Sequence, residues 1–449
     1  MSHYRGFSRG FWGGRWYEPL ICEYDDLGRV LSIGDRYPSE GGAEHSEVTI
    51  DPRTFIQSPP NGHSHCFQFA IVGLTEVIDH GGDDFWAWRA SMYQIALSIS
   101  PEELGSIARA LYTLMKVNGY RSVTEFHYLH HDPDGAHYEP QTRLADLLIE
   151  SALEVGINIV LVPVYYKNGG FDVPATDEQR RFIFRDVQEY FGLIERLDQR
   201  WGAHPYVKIG KGVHSLRAAS REDIITICAS LEPDRPFHIH ISEQTREVEM
   251  CQDAWGQRPV QWLLDHVEVT ENYHLVHATH LDEDEIKGIA RSGASVTLCP
   301  TTEGNLGDGV FPLAQFLKAQ GSFWIGSDSH VTVSPLEELR TLDYSQRFMH
   351  RRRGVVNASR PGHRGDLLWT EALNVDEYGD GRAPFLSGLL LKTHNVITSA
   401  KRRVYLMSAL VYGGGPDVID AVMINGVESS REIDREIAHD FARVVSRLG

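Results

Sequence analysis

Pro59-Pro60-Asn61-Gly62-His63-Ser64-His65-Cys66-Phe67-Gln68 is the stretch that decides how this 449-residue chain is read. Side chains alternate along an extended chain, so His63 and His65 share a face and offer two imidazole nitrogens to one cation. The Pro-Pro and Asn-Gly just upstream form turns, which puts the pair at the edge of an element, where sites are usually built. A bare His-x-His is more often a polar turn with two hydrated imidazoles. Ligands elsewhere in the chain must decide between the two.

Downstream of the pair, strands and helices alternate. Ser100-Pro101-Glu102-Glu103 is a helix start, with serine as N-cap, proline at the first position and glutamate three residues on. That helix is expected to end at Gly119. Strands are expected at 121–128 (RSVTEFHY), 157–166 (INIVLVPVYY), 206–213, 237–241 (FHIHI), 273–278 (YHLVHA), 294–299 (ASVTLC) and 322–326 (SFWIG). A charged helix is expected from about 177 to 200, and others start at Ser220, near Val260 and at Asp282. With 55–60, the segment before His63, counted as the first, eight strands each lead into a helix or loop. That pattern predicts an α/β fold, a closed (β/α)8 barrel whose polar residues gather at the C-terminal ends of the strands.

The ends of the chain read differently. Residues 30–33 and 47–50 have strand chemistry, 417–427 reads as a hairpin, and 432–448 as an amphipathic helix. The expected organisation is a barrel over 59–385, with 1–58 and 386–449 forming a small β-sandwich-like domain that carries the C-terminal helix. The run Arg351-Arg352-Arg353 reads as the solvated end of a helix.

Lysine plus arginine number 43 and aspartate plus glutamate 62, a net charge of −19. Such a surface repels phosphate backbones and anionic membranes, so neither nucleic acid nor a membrane is an expected partner. The five cysteines (22, 66, 228, 251 and 299) are scattered and form no Cys-x-x-Cys. This points to a reduced, cytoplasmic setting. No stretch has the length and apolarity of a membrane span, and the N-terminus has no apolar signal core.

Three strand ends supply matching ligands. His240 ends the fifth strand, His277 the sixth and Asp328 the eighth. His63, His65, His240 and Asp328 make a set of three imidazoles and one carboxylate that suits Zn²⁺ or Fe²⁺, one ion per chain, with room for a water.

These ligands, with the stretches NGHSHCFQ, DDFWAWRASMY, TEFHYLHHD, GVHSLRA, HIHISEQTREVEMC, LVHATHLD, TTEGNLGDG and GSDSHV, resemble the formimidoylglutamate deiminases of the amidohydrolase superfamily. The resemblance is dense over 61–345 and loose at the termini. One departure is Phe69, which stands where that family commonly has arginine. The resemblance implies a metal-dependent hydrolysis of a small dicarboxylate amidine, N-formimino-L-glutamate, to N-formyl-L-glutamate and ammonia in histidine degradation. The resemblance also implies that the attacking group is a zinc-bound hydroxide. On this reading Asp328 is expected to take the proton from water, His277 to orient the attacking oxygen and Glu243 to protonate the leaving nitrogen. By the same resemblance Arg89 and Arg217 are expected to hold the two carboxylates, with Gln68, Tyr128 and His214 as further substrate contacts. A homo-oligomer, a dimer, is the expected assembly. Two other readings stay open at this point: an aminohydrolase of the same superfamily acting on a purine, pterin or triazine, and a barrel that binds ligand without turnover.

Overall fold

Eight parallel strands form the barrel: Asn61–Ser64, Ser122–His127, Asn158–Tyr165, Lys211–Ser215, Phe237–Ile241, Tyr273–His277, Ser295–Leu298 and Ser322–Ile325. The computed structural model describes residues 1–36, 49–74, 85–359, 367–373, 378, 381, 383–395 and 403–448. Each barrel strand pairs in parallel with the next, and helices cover the outside. With helices outside and a filled interior, both faces of a strand are buried. The third strand, NIVLVPVY, accordingly has no exposed position.

The barrel closes on a narrow seam. Ser64 and Asp328 form a single parallel bridge between the first strand and the turn after the eighth. The Asp328 N–H donates to the His63 carbonyl at 3.0 Å, and the His65 N–H donates to the Asp328 carbonyl at 3.1 Å. Asn61 reinforces the join, donating to Ser327 Oγ at 2.6 Å across 266 positions of sequence. Gly326 is required there, because a Cβ would come within 2.8 Å of His63 Cβ.

The caps fall where sequence chemistry puts them. Ser100 and Glu103 make a full capping box on helix Pro101–Asn118, which stops at Gly119 with φ 103°. Asp282 does the same for Glu283–Ser292. The arginine run follows helix Pro335–His350 at its exposed end.

Three expectations need correction. The segment 55–60 is not the first barrel strand. Ile50–Gln57 belongs to the outer sheet, and the four residues that carry His63 form the barrel strand instead. The expected strand over 206–213 is two strands, Val207–Ile209 and Lys211–Ser215, both pairing with the third barrel strand. The helix expected from 177 starts only at Val187, capped by Asp186. The cause is Arg181, whose fully buried guanidinium donates to the carbonyls of His131 and Ile99 and holds this segment against the barrel top.

Strands from both ends of the chain make one eight-stranded sheet. It runs Val427–Ser430, Ile419–Ile424, Gly388–Leu391, Ile50–Gln57, Ser2–Trp12, Leu20–Asp25 and Val30–Gly34, with Arg15–Tyr17 paired on Ser2–Trp12. The 417–427 region is a hairpin as expected, turning at Asn425-Gly426, both with positive φ. Glu47 and Val48, expected to begin a strand, lie outside the described residues. The C-terminal helix Arg435–Leu448 packs on the barrel helix Pro101–Asn118, where Arg447 pairs with Glu103 at 2.7 Å. Among the described residues no helix is long and apolar enough to cross a membrane.

Candidate active site and metal centre

The C-terminal ends of the strands bring the expected ligands together. His63 Nε2 lies 3.0 Å from His65 Nε2 and 3.0 Å from His240 Nε2, and His65 and His240 are 3.3 Å apart at the same atoms. Asp328 Oδ1 stands 3.3 Å from His65 Nε2 and 3.6 Å from His63 Nε2. His65 Nδ1 faces the Phe126 carbonyl at 3.1 Å, so Nδ1 carries the proton and Nε2 presents a bare lone pair to the centre. Burial keeps these imidazoles neutral: His65 is pulled down to about 3, and His63 and His240 fall well below the usual histidine range. Buried neutral donors facing one another are what a cation needs. Zinc bonds of ~2.0–2.1 Å in a tetrahedron place donor nitrogens ~3.3 Å apart, so the set fits that ion.

Strained backbone aims these groups. Ser242, His277, Ala278, Asp328 and His330 all have positive φ, between 48° and 67°, at the ends of the fifth, sixth and eighth strands. Non-glycine residues adopt this conformation at a cost of ~1–3 kcal/mol each, which the surrounding barrel must offset.

One cavity lies over this floor. Every residue singled out from the sequence lines it except His63, which is fully buried below it: His65, Gln68, Arg89, Tyr128, His214, Arg217, His240, Glu243, His277 and Asp328. His277 sits among three carboxylates. Its Nε2 is 3.8 Å from Glu243 Oε1 and 3.7 Å from Asp328 Oδ2, and its Nδ1 is 3.4 Å from Glu303 Oε1. Burial alone would lower its pKa, but Glu243, Glu303 and Asp328 push it up to about 10. Burial pushes the Asp328 carboxyl up to about 7 against the pull of His277. Arg217 is buried, with Glu243 Oε2 3.9 Å away. Desolvation is outweighed by Glu247 and Glu243, so it stays above the ordinary arginine value. Gln68 Nε2 donates to the Tyr128 hydroxyl at 2.8 Å, and Tyr128 packs its ring edgewise against His65 and His214.

The sequence reading missed two buried carboxylates. Glu303 faces His277, and its Oε1 also accepts the Cys299 N–H at 2.9 Å. It follows Pro300 at the start of a short helix, inside the stretch TTEGNLGDG that carries part of the resemblance, and that stretch was its signal. Glu125 accepts from Ser64 Oγ at 2.6 Å, the Cys66 N–H at 2.7 Å and the Tyr112 hydroxyl at 3.2 Å, so it grips the chain on both sides of His65. Its strand, Ser122–His127, is buried at every position, and a charge in such a place must be satisfied. Phe69 points elsewhere: its ring stacks on Phe441 of the C-terminal helix, 4.7 Å between centroids.

The family model for the amidohydrolase family matches residues 54–374, the whole stretch that builds this site. The chain belongs to the amidohydrolase family. This family is metal-dependent, and His63, His65 and His240 form a group able to hold a metal ion, as do His277, Cys299 and Asp328 beside it. The chain is 39% identical over 403 residues to the formimidoylglutamate deiminase of Pseudomonas aeruginosa, covering 87% of this chain and 88% of that one. A solved amidohydrolase from Brucella melitensis superposes with a TM-score of 0.90 at 33% identity, over 99% of both chains. An adenosine deaminase from Xanthomonas campestris, solved with bound zinc, shares the fold at a TM-score of 0.77 and 18% identity, covering 99% of this chain and 98% of that one. Amidohydrolases act on small molecules, which suits a cavity enclosed by the barrel mouth.

Proposed function

We propose that the chain is a formimidoylglutamate deiminase, hydrolysing N-formimino-L-glutamate to N-formyl-L-glutamate and ammonia. The observation that carries this reading is the pair Arg89 and Arg217 in the same cavity as the three-histidine centre. Two guanidinium groups match a substrate with two carboxylates, whereas a flat neutral purine or triazine gives them nothing to bind. The similarity to the Pseudomonas aeruginosa enzyme over most of both chains supports it.

His63, His65, His240 and Asp328 would hold one zinc ion, which supplies a water acidic enough to attack at neutral pH. The chain's own groups do the rest. Asp328 accepts a proton from the attacking water. His277, held at Nδ1 by Glu303, donates from Nε2 and steadies the oxygen as it bonds to the formimino carbon. Glu243, within reach of the same imidazole, delivers a proton to the terminal nitrogen. The terminal C–N bond breaks, and both protons of water leave with ammonia. We assign this chemistry to the barrel over 59–385, with 1–58 and 386–449 forming a small β-sandwich-like domain that carries the C-terminal helix.

Ammonia release measured on N-formimino-L-glutamate, against other amidines and a set of purines, tests the reading. Turnover of a purine at a higher kcat/KM than the formimino amino acid overturns it.

A further inference from the structure

Two tyrosines that the mechanism leaves idle line the cavity beside the arginines. Tyr93 comes from helix Phe85–Ser98 and Tyr166 follows the third barrel strand. The Arg89 guanidinium lies 5.3 Å from the centre of the Tyr93 ring, and the Tyr166 ring meets His214 edgewise at 4.7 Å. Gln179, fully buried behind them, sends its Nε2 to the Tyr166 hydroxyl at 2.6 Å and to the Tyr93 hydroxyl at 3.1 Å. The orientation of that amide is fixed, because its Oε1 accepts the Thr176 N–H at 2.9 Å and an N–H can only donate. Gly169 leaves room for it: a Cβ there would stand 3.0 Å from Gln179 Oε1.

Counting protons gives this arrangement a direction. The two amide hydrogens of Gln179 go to the two phenolic oxygens, so both tyrosines act as acceptors toward the protein. Each still has one O–H to donate. The two hydroxyls are 3.4 Å apart, and that contact can use only one of the two protons. Among the described residues neither oxygen has a further hydrogen-bond partner. Burial pushes the Tyr93 phenol up, so it stays protonated. Among the described residues at least one phenolic proton therefore has no acceptor at the cavity wall next to Arg89, and a buried donor requires one.

We propose that Tyr93 and Tyr166, braced by Gln179, are the neutral half of the carboxylate subsite, donating an O–H to one substrate carboxylate held by the arginines. This rests on the dicarboxylate reading above. Tyr93 and Tyr166 are binding residues, and Gln179 is a positioning residue that turns both oxygens into acceptors on one side so that a proton points out on the other.

The test uses the metal-loaded enzyme and the double variant Tyr93→Phe/Tyr166→Phe, with both single variants and Gln179→Leu beside it. Thermal midpoints within a few degrees of wild type establish that each is folded. On N-formimino-L-glutamate the double variant should raise KM about 10–100-fold, with kcat changed no more than about threefold, the range for a hydrogen bond to a charged group. On N-formimino-norvaline or N-formimino-4-aminobutyrate, each lacking one carboxylate, the effect should vanish for the analogue without the contacted group. Gln179→Leu should raise KM in the same substrate-dependent way. Equal losses on both analogues and the full substrate, or a KM within twofold of wild type, overturn the proposal. Calorimetric titration with glutarate, which has no formimino group, keeps the two readings apart. If wild type fails to turn over the formimino substrate, the proposed reaction falls. The subsite then stands only if the double variant binds glutarate at least tenfold more weakly, and an unchanged or absent glutarate affinity rejects it.

Discussion

Replacing Glu125 with leucine should loosen the turn that carries His65 and weaken the hold on a divalent metal. The carboxylate is buried and takes three donors, two of them from Ser64 and Cys66, the residues on either side of that histidine. In the leucine variant the Ser64 hydroxyl can turn to His330 Nε2, 3.3 Å away. The Cys66 N–H and the buried Tyr112 hydroxyl lose the acceptor they use now. At ~1–3 kcal/mol for each orphaned donor the cost is ~2–6 kcal/mol. Glutamine keeps the shape, offering its carbonyl to Cys66 and its amide to two hydroxyls that can rotate to accept, so ~1 kcal/mol is expected. Metal affinity should fall ~10–100-fold with leucine, as it does when groups that orient a ligand are removed. The assays are thermal unfolding and metal content after dialysis against a weak chelator. pH supplies a second check. Burial pushes Glu125 up to about 7 from an ordinary 4.5. The folded protein therefore keeps this proton after the unfolded chain has released it. Its contribution is full below pH 4.5 and is lost as pH rises through 7, a fall of ~3 kcal/mol. Glutamine does not titrate, so its deficit relative to wild type should shrink between pH 5 and pH 8. Equal stability of the leucine and glutamine variants, or metal retained by leucine as by wild type, would mean that Glu125 does not hold the turn that carries His65.

Three further outcomes are expected. His240→Ala should lose both metal and activity while the barrel stays folded, and elemental analysis of the wild type should find one divalent ion per chain. Glu243→Gln should keep the metal and lose ~10²–10⁴-fold in kcat, the usual range for a general acid–base group; near-normal turnover would return Glu243 to a structural role. Arg217→Met should lower kcat/KM by ~10²–10³-fold on the dicarboxylate substrate. The loss should be much smaller on an analogue that already lacks the matching carboxylate, and equal losses would mean that Arg217 supports the barrel instead.

The parts of this molecule that were legible in the sequence are those set by local chemistry. Ser100, Gly119 and Asp282 mark helix ends because capping is decided within four residues. FHIHI and YHLVH declare themselves as strands, so His240 and His277 could be placed at their ends. The first barrel strand was illegible because only four residues make it, while the stronger β pattern of Ile50–Gln57 belongs to the other sheet. The late start of helix Val187–Trp201 was hidden for a related reason. Its charged periodicity runs on upstream, but Arg181 and Gln179 are taken by partners distant in sequence. Glu125 was overlooked as one polar residue in RSVTEFHY, since nothing local says that both faces of that strand are covered.

The seam between the first and eighth strands also sets a timetable. His63 and His65 leave the ribosome long before Asp328, and at ~5–20 residues per second the interval is roughly 10–50 s. Throughout that time the growing chain holds histidines without their carboxylate, and the edge of the first strand has no neighbour. The bridge from Ser64 to Asp328 can form only once the eighth strand has arrived. A nascent or truncated chain therefore never owns a finished centre, and the capacity for chemistry appears with the last strand of the barrel.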